Sequence, residues 1–231
     1  MKFRILCIFF LCVCAQFRTE AQDYEPREGW PFVFDNFRSG TTRTRDGGLV
    51  MDALLNISVT DGSLFFIDND RLIMQADMSK VYTVKTGDDV YVNLSGKLYK
   101  LLSELDKGYV VSRMEVDVDK YSKVDIGYGV SSASASAMNL TILMDGRSNL
   151  IKKNIDESNA NKYSSPVIPT KESRFLWVGG NLIPASRNAI VNYPGVDKKK
   201  AQEFIKQEKI RWKDTISLEK LVIFLAKQLS D

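Results

Sequence analysis

Histidine is absent from this chain of 231 residues, and its three cysteines, Cys7, Cys12 and Cys14, all lie near the N-terminus. A Ser-His-Asp triad needs an imidazole, and a cysteine nucleophile needs a thiolate. Zinc and copper sites built from imidazole or thiolate ligands need the same side chains. No glycine-rich phosphate loop is present either, since Gly127-Tyr128-Gly129 lacks the third glycine of a dinucleotide fingerprint. The sequence therefore predicts no catalytic, cofactor-binding or metal-ligating residue and no cofactor.

The first 21 residues have the layout of a secretory signal peptide. Lys2 and Arg4 give a positive start, residues 5–15 form an apolar run, and Thr19-Glu20-Ala21 places small residues at the −3 and −1 positions of a cleavage site. The apolar run is too short for a membrane-spanning helix, which needs about 20 residues. We expect cleavage after Ala21, export, and a mature chain with neither cysteine nor a transmembrane segment.

The charge of the chain gives no reason to expect a nucleic-acid partner. Removal of the predicted signal takes away three basic residues and one acidic residue, so the net charge of +3 falls to about +1. The remaining charges are scattered along the chain rather than collected in basic blocks. We therefore predict no nucleic-acid binding.

Short β-branched and aromatic runs, separated by turn signals such as Ser95-Gly96, fill residues 37–130. Their spacing is typical of an antiparallel meander. In residues 49–59, apolar side chains alternate with polar ones such as Asn56 and Ser58. This period of two predicts a strand with one buried face and one wet face.

The C-terminal part predicts a hairpin followed by two helices. Residues 175–178 and 181–183 flank Gly179-Gly180, a strong signal for a two-residue hairpin turn. Beyond it the apolar spacing becomes helical, with Asp197 as the N-cap of one helix and Ser217 as the N-cap of the last. The last helix carries an apolar stripe that we expect to cover the sheet. Its members are Leu218, Leu221, Val222, Leu225 and Leu229.

Together these patterns predict an α+β fold, mainly an antiparallel β meander or roll with a C-terminal hairpin and two helices. Between the two parts, the run SSASASA at residues 131–137 is too small and polar to pack a core, and residues 145–171 are rich in Asn, Ser and Lys. The predicted organisation is a signal peptide (1–21), an aromatic lead-in (22–36), an antiparallel β domain (37–130), a loop-rich linker (131–174) and a hairpin with C-terminal helices (175–231).

Four aromatic residues are candidates for contact with a ligand or partner. Trp30, Phe32 and Phe34 lie close together in the lead-in, and Trp177 lies in the predicted hairpin. Such rings stack on sugars and dock on proteins, but they also pin a segment to the protein's own core. The sequence leaves both alternatives open.

With these residues in view, the chain resembles a family of uncharacterised exported proteins from Bacteroidetes, which are small β-rich envelope proteins with a helical C-terminus. The resemblance implies a location in the periplasm or in association with the outer membrane, and it implies no catalytic residue. It runs through most of the mature chain and rests on the order and spacing of five segments. They are FRSGTTRTRDGGLVMDALLNISVTDGSLFFID (37–68), VYTVKTGDDVYVNLSGKLYKLL (81–102), IGYGVSSASAS (126–136), FLWVGGNLIPAS (175–186) and the helical close at residues 198–225.

The resemblance also suggests a modification site. Asp214-Thr215-Ile216 resembles the Asp-Ser/Thr-aliphatic acceptor that is used for O-glycosylation in that phylum. Thr215 falls in the predicted turn between the two helices, and an exposed turn suits a modification. Thr215 is therefore a candidate O-glycosylation site.

The function that we predict is that of a non-enzymatic cell-envelope protein. It would act as an accessory or binding subunit of an outer-membrane or periplasmic assembly, with another envelope protein as its partner. One alternative is a glycan-binding module that uses Trp30 or Trp177 as an aromatic platform. A second is a carboxylate-dependent hydrolase, because that chemistry needs only two acids at the right separation.

Overall fold

The computed structural model describes residues 24–45, 51–121 and 148–229. The predicted signal peptide and the predicted loop at residues 131–137 lie outside these residues. None of the helices in the three described stretches is long and apolar enough to span a membrane.

Ten strands and five α-helices form in the described part of the chain. The strands are β1 (Arg38–Thr44), β2 (Met51–Ile57), β3 (Leu64–Ile67), β4 (Ile73–Gln75), β5 (Val81–Thr86), β6 (Asp89–Leu94), β7 (Lys97–Leu105), β8 (Gly108–Val116), β9 (Thr170–Val178) and β10 (Asn181–Pro184). The helices are α1 (Val118–Tyr121), α2 (Ile155–Asn161), α3 (Arg187–Val191), α4 (Lys198–Gln207) and α5 (Thr215–Gln228). A 3₁₀ turn, Lys162–Ser164, follows α2 directly.

All ten strands belong to one antiparallel sheet with the order β10-β9-β8-β7-β6-β5-β1-β2-β3-β4. The sheet curves into a half-barrel, so the prediction of a β-rich α+β fold with an antiparallel sheet is confirmed. Most neighbours in the sheet are also neighbours in sequence, as a meander requires, but β1 lies between β5 and β2. The Gly179-Gly180 turn joins β9 to β10 as predicted, with positive φ angles at both glycines.

The inner face of the sheet is defined by Leu55, Val84, Leu98, Val110 and Leu176, which the strand register places on one side. All five are buried. At the β7–β9 end this face is covered by α5, whose predicted apolar stripe packs against it. At the other end of the sheet, the inner face is buried by the curvature of the sheet itself. Residues of β2, β3, β5, β6 and β7 pack against one another there.

The opposite, outer face is covered at the β2–β4 end by the aromatic lead-in. Trp30 is 1% exposed and Phe32 is 0% exposed. Their rings meet edge to face at 5.2 Å, and Phe32 meets Phe65 of β3 at the same centroid distance. Phe34 is also buried, among the residues of the inner face. Of the two alternatives that the sequence leaves open for these three rings, the structure shows packing in the protein's own core.

Two polar side chains hold the lead-in in place. The Asn56 side chain accepts a hydrogen bond from the backbone N–H of Phe34 and donates one to its carbonyl, at 3.0 and 2.9 Å. Asn56 in β2 and Ser58 just after it are both buried, so the predicted wet face is wrong at these two positions. Lys162 is also buried, and its ammonium lies 2.9 Å from the carboxylate of Asp35.

The described part of the predicted loop-rich linker, residues 148–174, contains a short helix and the start of a strand. Asn154 caps α2 by accepting a hydrogen bond from the N–H of Asp156, and Ile155 of this helix packs beside Trp30 and Phe32. Strand β9 begins at Thr170, five residues before the predicted hairpin. Its first half is polar and carries no strand pattern, but it pairs with β8 along its whole length.

The two predicted C-terminal helices are present as α4 and α5, and one of the two predicted caps is wrong. Asp197 caps α4 as expected, accepting from the N–H groups of Lys199 and Lys200. The last helix starts three residues earlier than predicted, at Thr215 rather than Leu218, because Asp214 caps it by accepting from the N–H of Ser217. Helix α3 was not predicted.

Candidate binding surface

The outer face carries a second apolar group at its β8–β10 end, which we call the outer aromatic face. Its members are Tyr99, Tyr109, Phe175, Trp177 and Leu182. The register explains this grouping, since Tyr109 lies opposite Trp177 and Trp177 lies opposite Leu182 on adjacent strands. The intervening residues of β9, Leu176 and Val178, point to the inner face and are buried under the helices. Strand β9 is therefore apolar on both faces, which is why residues 175–178 form an unbroken apolar run.

The side chains of the outer aromatic face range from buried to half-exposed. Tyr99 is buried and packs edge to face on Phe175, with ring centroids 5.4 Å apart. Burial raises the pKa of the Tyr99 phenol above its ordinary value. Tyr109, Phe175 and Trp177 are half-buried, and no described helix lies over them. These three rings can meet a ligand without a rearrangement of the sheet.

An arginine and a glutamate border this face on β8. The Arg113 guanidinium lies over the ring of Tyr99, 5.2 Å from its centroid, and donates a 3.2 Å hydrogen bond to the Tyr99 hydroxyl. Arg113 also forms an ion pair with Glu115, and both side chains are largely buried. The two charges thus satisfy each other. Lys171, which lies opposite Glu115 on β9, is exposed and has no ion-pair partner among the described residues.

Beside the aromatic face lies an open sheet edge. Strand β9 has nine residues and pairs fully with β8, but β10 has only four and pairs with residues 175–178. The backbone N–H of Ala185 donates to the carbonyl of Arg174 at 2.9 Å, after which the chain turns into α3. The first half of β9 therefore has no strand beside it among the described residues.

A groove of about 720 Å³ runs along this open edge. We call it the edge groove. Its walls are formed by β9, by residues 184–186 and by the turn between α4 and α5. The Arg174 guanidinium donates a hydrogen bond to the carbonyl of Lys213, which ties the strand to that turn. The side chains that line it include Glu115, Lys171, Glu172, Arg174, Trp212 and Lys213.

The structure separates the candidate residues of the sequence. Trp30, Phe32 and Phe34 lie in the core, whereas Trp177 lies half-exposed on the outer aromatic face. Thr215 is the first residue of α5 and is half-buried, directly after the cap Asp214. Sequence reasoning missed the contributions of Tyr99, Tyr109 and the β9 edge. The signal for the aromatic face was present in the unbroken apolar run at residues 175–178, because a strand with two apolar faces gives such a run.

Within the described residues, no group of three or more Asp, Glu, His or Cys side chains is arranged to hold a metal ion. Comparison with known proteins finds no family model, no curated protein and no solved structure that matches this chain.

Proposed function

We propose that the protein is an exported, non-catalytic accessory or binding subunit of a cell-envelope assembly, and that it contacts another envelope protein through the outer aromatic face. The observation that carries the proposal is the half-buried set of Tyr109, Phe175 and Trp177, which lies on two paired strands of the sheet. Aromatic side chains supply large contact areas at low entropic cost, and they are enriched at the centres of interfaces.

The packing on the opposite face of the same strands supports this role. Behind them, Leu176, Val178 and Val110 pack on α5 and are no more than 1% exposed. The rings are thus presented by a strand that is fixed on its other face. A partner that binds them meets a preorganised surface, which lowers the entropy lost on association.

Export is part of the proposal and rests on the sequence. Residues 1–21 have the charge, apolar run and cleavage pattern of a secretory signal. The resemblance to exported Bacteroidetes proteins supports a location in the periplasm or at the outer membrane.

A comparative pull-down from the native host tests the proposal. Tagged wild-type protein, a Trp177→Ala variant and a Tyr163→Ala variant would be isolated in mild detergent, and co-purifying proteins would be quantified by mass spectrometry. Tyr163 is the matched control, because it is an aromatic residue that is 58% exposed at the other end of the sheet. We expect a stoichiometric envelope protein with the wild type and the Tyr163 variant, reduced at least about tenfold with Trp177→Ala. Recovery of a lone monomer in all three cases would contradict the proposal.

A glycan ligand is the second candidate, and the pairing of Tyr109 with Trp177 favours it. Two half-exposed rings on adjacent strands, with Arg113 and Glu115 on the same face, offer a stacking platform and polar groups. In a Trp212→Phe background, Trp177 is the half-exposed tryptophan that a sugar could quench, since Trp30 is buried. Saturable quenching by oligosaccharides that disappears in Trp177→Phe would favour a glycan over a protein partner.

Two further proposals rest on the sequence. A carboxylate-dependent hydrolase would show hydrolysis in substrate profiling that is lost when one specific acid is replaced. O-glycosylation of Thr215 would add a glycan mass to the chain isolated from its native host, and Thr215→Ala would remove it. An unmodified mass of the native chain would dispose of that site.

A further inference from the structure

We propose that an extended, acidic segment of the partner adds as a strand to the open edge of β9, pairing with the backbone of Thr170 and Glu172. This inference rests on the proposed function, because it names how the protein partner is held beside the outer aromatic face. Strand addition to an exposed edge is a general mode of peptide recognition, in which main-chain hydrogen bonds give affinity and side-chain pockets give specificity.

The direction of the backbone groups follows from two hydrogen bonds. The N–H of Asp117 donates to the carbonyl of Pro169 at 2.8 Å on the β8 side, and Ala185 donates to Arg174 on the β10 side. Because successive residues of a strand point their N–H and C=O groups to alternate sides, Thr170 and Glu172 point to the β10 side, as Arg174 does. No described residue forms a backbone hydrogen bond with either of them there. Both the donors and the acceptors for a further strand are therefore in place.

The edge groove gives the added strand room. Its volume of about 720 Å³ is lined by residues 171–175 of β9 and by residues 184–186. The Arg174–Lys213 hydrogen bond holds the far wall in position, and Trp212 is half-buried in that wall. A strand rises about 3.3 Å per residue, so four or five residues of the partner match this stretch.

The charge of the groove selects an acidic segment. Lys171 and Lys213 are exposed, and neither forms an ion pair within the part of the chain that the structure describes. The other charges are engaged, since Glu115 pairs with Arg113 and Glu172 lies 3.9 Å from Arg174. Two uncompensated ammonium groups beside open backbone groups favour a strand that carries Asp or Glu.

The experiment uses blocked octapeptides in which Val, Ile and Thr alternate with either Asp or Lys, and the full mature chain. Binding would be measured by fluorescence anisotropy and by hydrogen exchange at the Glu172 amide. We expect the acidic peptides to bind, the lysine peptides to bind at least about tenfold more weakly, and the Glu172 amide to become protected on binding. The Lys171→Glu/Lys213→Glu double variant is expected to reverse the peptide preference.

The backbone contribution is tested with a matched pair of variants. Glu172→Pro removes the edge N–H and is expected to weaken binding at least about tenfold, whereas Glu172→Ala keeps the N–H and is expected to bind within about threefold of wild type. If Glu172→Pro does not fold, peptides that are N-methylated on one set of alternate residues supply the same test. Methylation of the set that faces β9 should abolish binding, and methylation of the other set should not.

Three results would overturn the inference. The first is that acidic peptides do not bind. The second is that acidic and lysine peptides bind equally well, or that Glu172→Pro binds acidic peptides as tightly as the wild type. The third is a concentration-dependent dimer of the wild type that Glu172→Pro abolishes, because the edge would then be occupied by a second copy of the chain. The pull-down separates this inference from the proposed function. If Glu172→Pro still retains a partner whose binding depends on Trp177, the aromatic contact stands and only strand addition is excluded.

Discussion

At the β2–β4 end of the sheet, the outer face is covered by Trp30 and Phe32 of the lead-in and by Ile155 of α2. At the β8–β10 end of the same face, Tyr109, Phe175 and Trp177 stay half-exposed. The two edges of the sheet differ in the same way. Beside β4, the N–H of Ile73 donates to the carbonyl of Lys153 and its carbonyl accepts from Lys152, whereas the first half of β9 has no such neighbour among the described residues.

In the proposed function, the two ends of one sheet serve two purposes. The fold needs its apolar faces covered and its edges protected, and at the β2–β4 end the chain supplies both from its own segments. At the other end, the open stretch of the β9 edge is short, because Pro26 accepts a hydrogen bond from Ile168 before it and Arg174 accepts one from Ala185 after it. This stretch carries the charges of Lys171 and Glu172. Covered aromatics at one end are thus structural, and half-exposed aromatics at the other end are available for binding.

The largest expected effect separates the two tryptophans. Trp30→Ala removes a buried ring from the covered end and is expected to lower the free energy of unfolding by about 3–5 kcal/mol. Trp177→Ala is expected to cost about 1 kcal/mol, because its ring is half-exposed, while it reduces partner binding. Urea denaturation followed by far-UV circular dichroism measures both values. Equal costs would show that the two ends are built alike.

Proline substitutions at two successive residues of β9 sharpen the comparison of the edges. The N–H of Lys171 faces β8, so Lys171→Pro removes a ladder hydrogen bond and is expected to cost about 1–3 kcal/mol. The N–H of Glu172 faces the open edge, so Glu172→Pro is expected to cost less than about 1 kcal/mol. Thermal and urea unfolding of the two purified variants measure both losses of unfolding free energy. A larger loss for Glu172→Pro would mean that this edge is already paired in the free protein.

The contact between Asp35 and Lys162 gives a smaller, pH-dependent effect. Desolvation raises the pKa of Asp35, but hydrogen bonds from Lys162 and Tyr163 and the charge of Lys162 outweigh it and hold the pKa below its ordinary value. A lowered carboxyl pKa contributes stability above the unfolded-state pKa, and that contribution is lost as the pH falls through the folded-state pKa. We expect Lys162→Met to cost about 1–2 kcal/mol at pH 7 and less at pH 3.

Urea denaturation of the wild type and of Lys162→Met at both pH values measures this difference. Lys120→Met is the control, because its exposed ammonium makes only a 3.6 Å surface pair with Asp117. A Lys162→Met cost that does not change with pH would contradict the linkage.

Local patterns in the sequence predict the elements whose chemistry is contained within a few residues. The Gly179-Gly180 turn and the Asp197 cap depend on φ angles and hydrogen bonds of neighbouring residues, and both are found as predicted. The apolar stripe of the last helix also holds, because its spacing and its burial have the same cause.

Long-range pairing sets the parts that the sequence does not predict. The sequence of residues 170–174, TKESR, predicts a linker because it has neither an apolar alternation nor a turn signal. These residues form a strand because they pair with β8. The polar alternation predicts that Asn56 faces solvent, but its side chain is buried in hydrogen bonds with the backbone of Phe34 in the lead-in. The open edge of the binding surface follows from the difference in length between β9 and β10, and that difference becomes visible only in the register.

A photocrosslinking measurement in the native host tests the central claim most directly, namely that the β8–β10 end is the binding surface. A benzoylphenylalanine side chain would replace Trp177 in one strain and Tyr163, at the covered end, in another. The account predicts that illumination joins the Trp177 variant to one envelope protein and gives no such product with the Tyr163 variant. A crosslink from position 163 without one from position 177 would contradict the account and move the contact to the covered end.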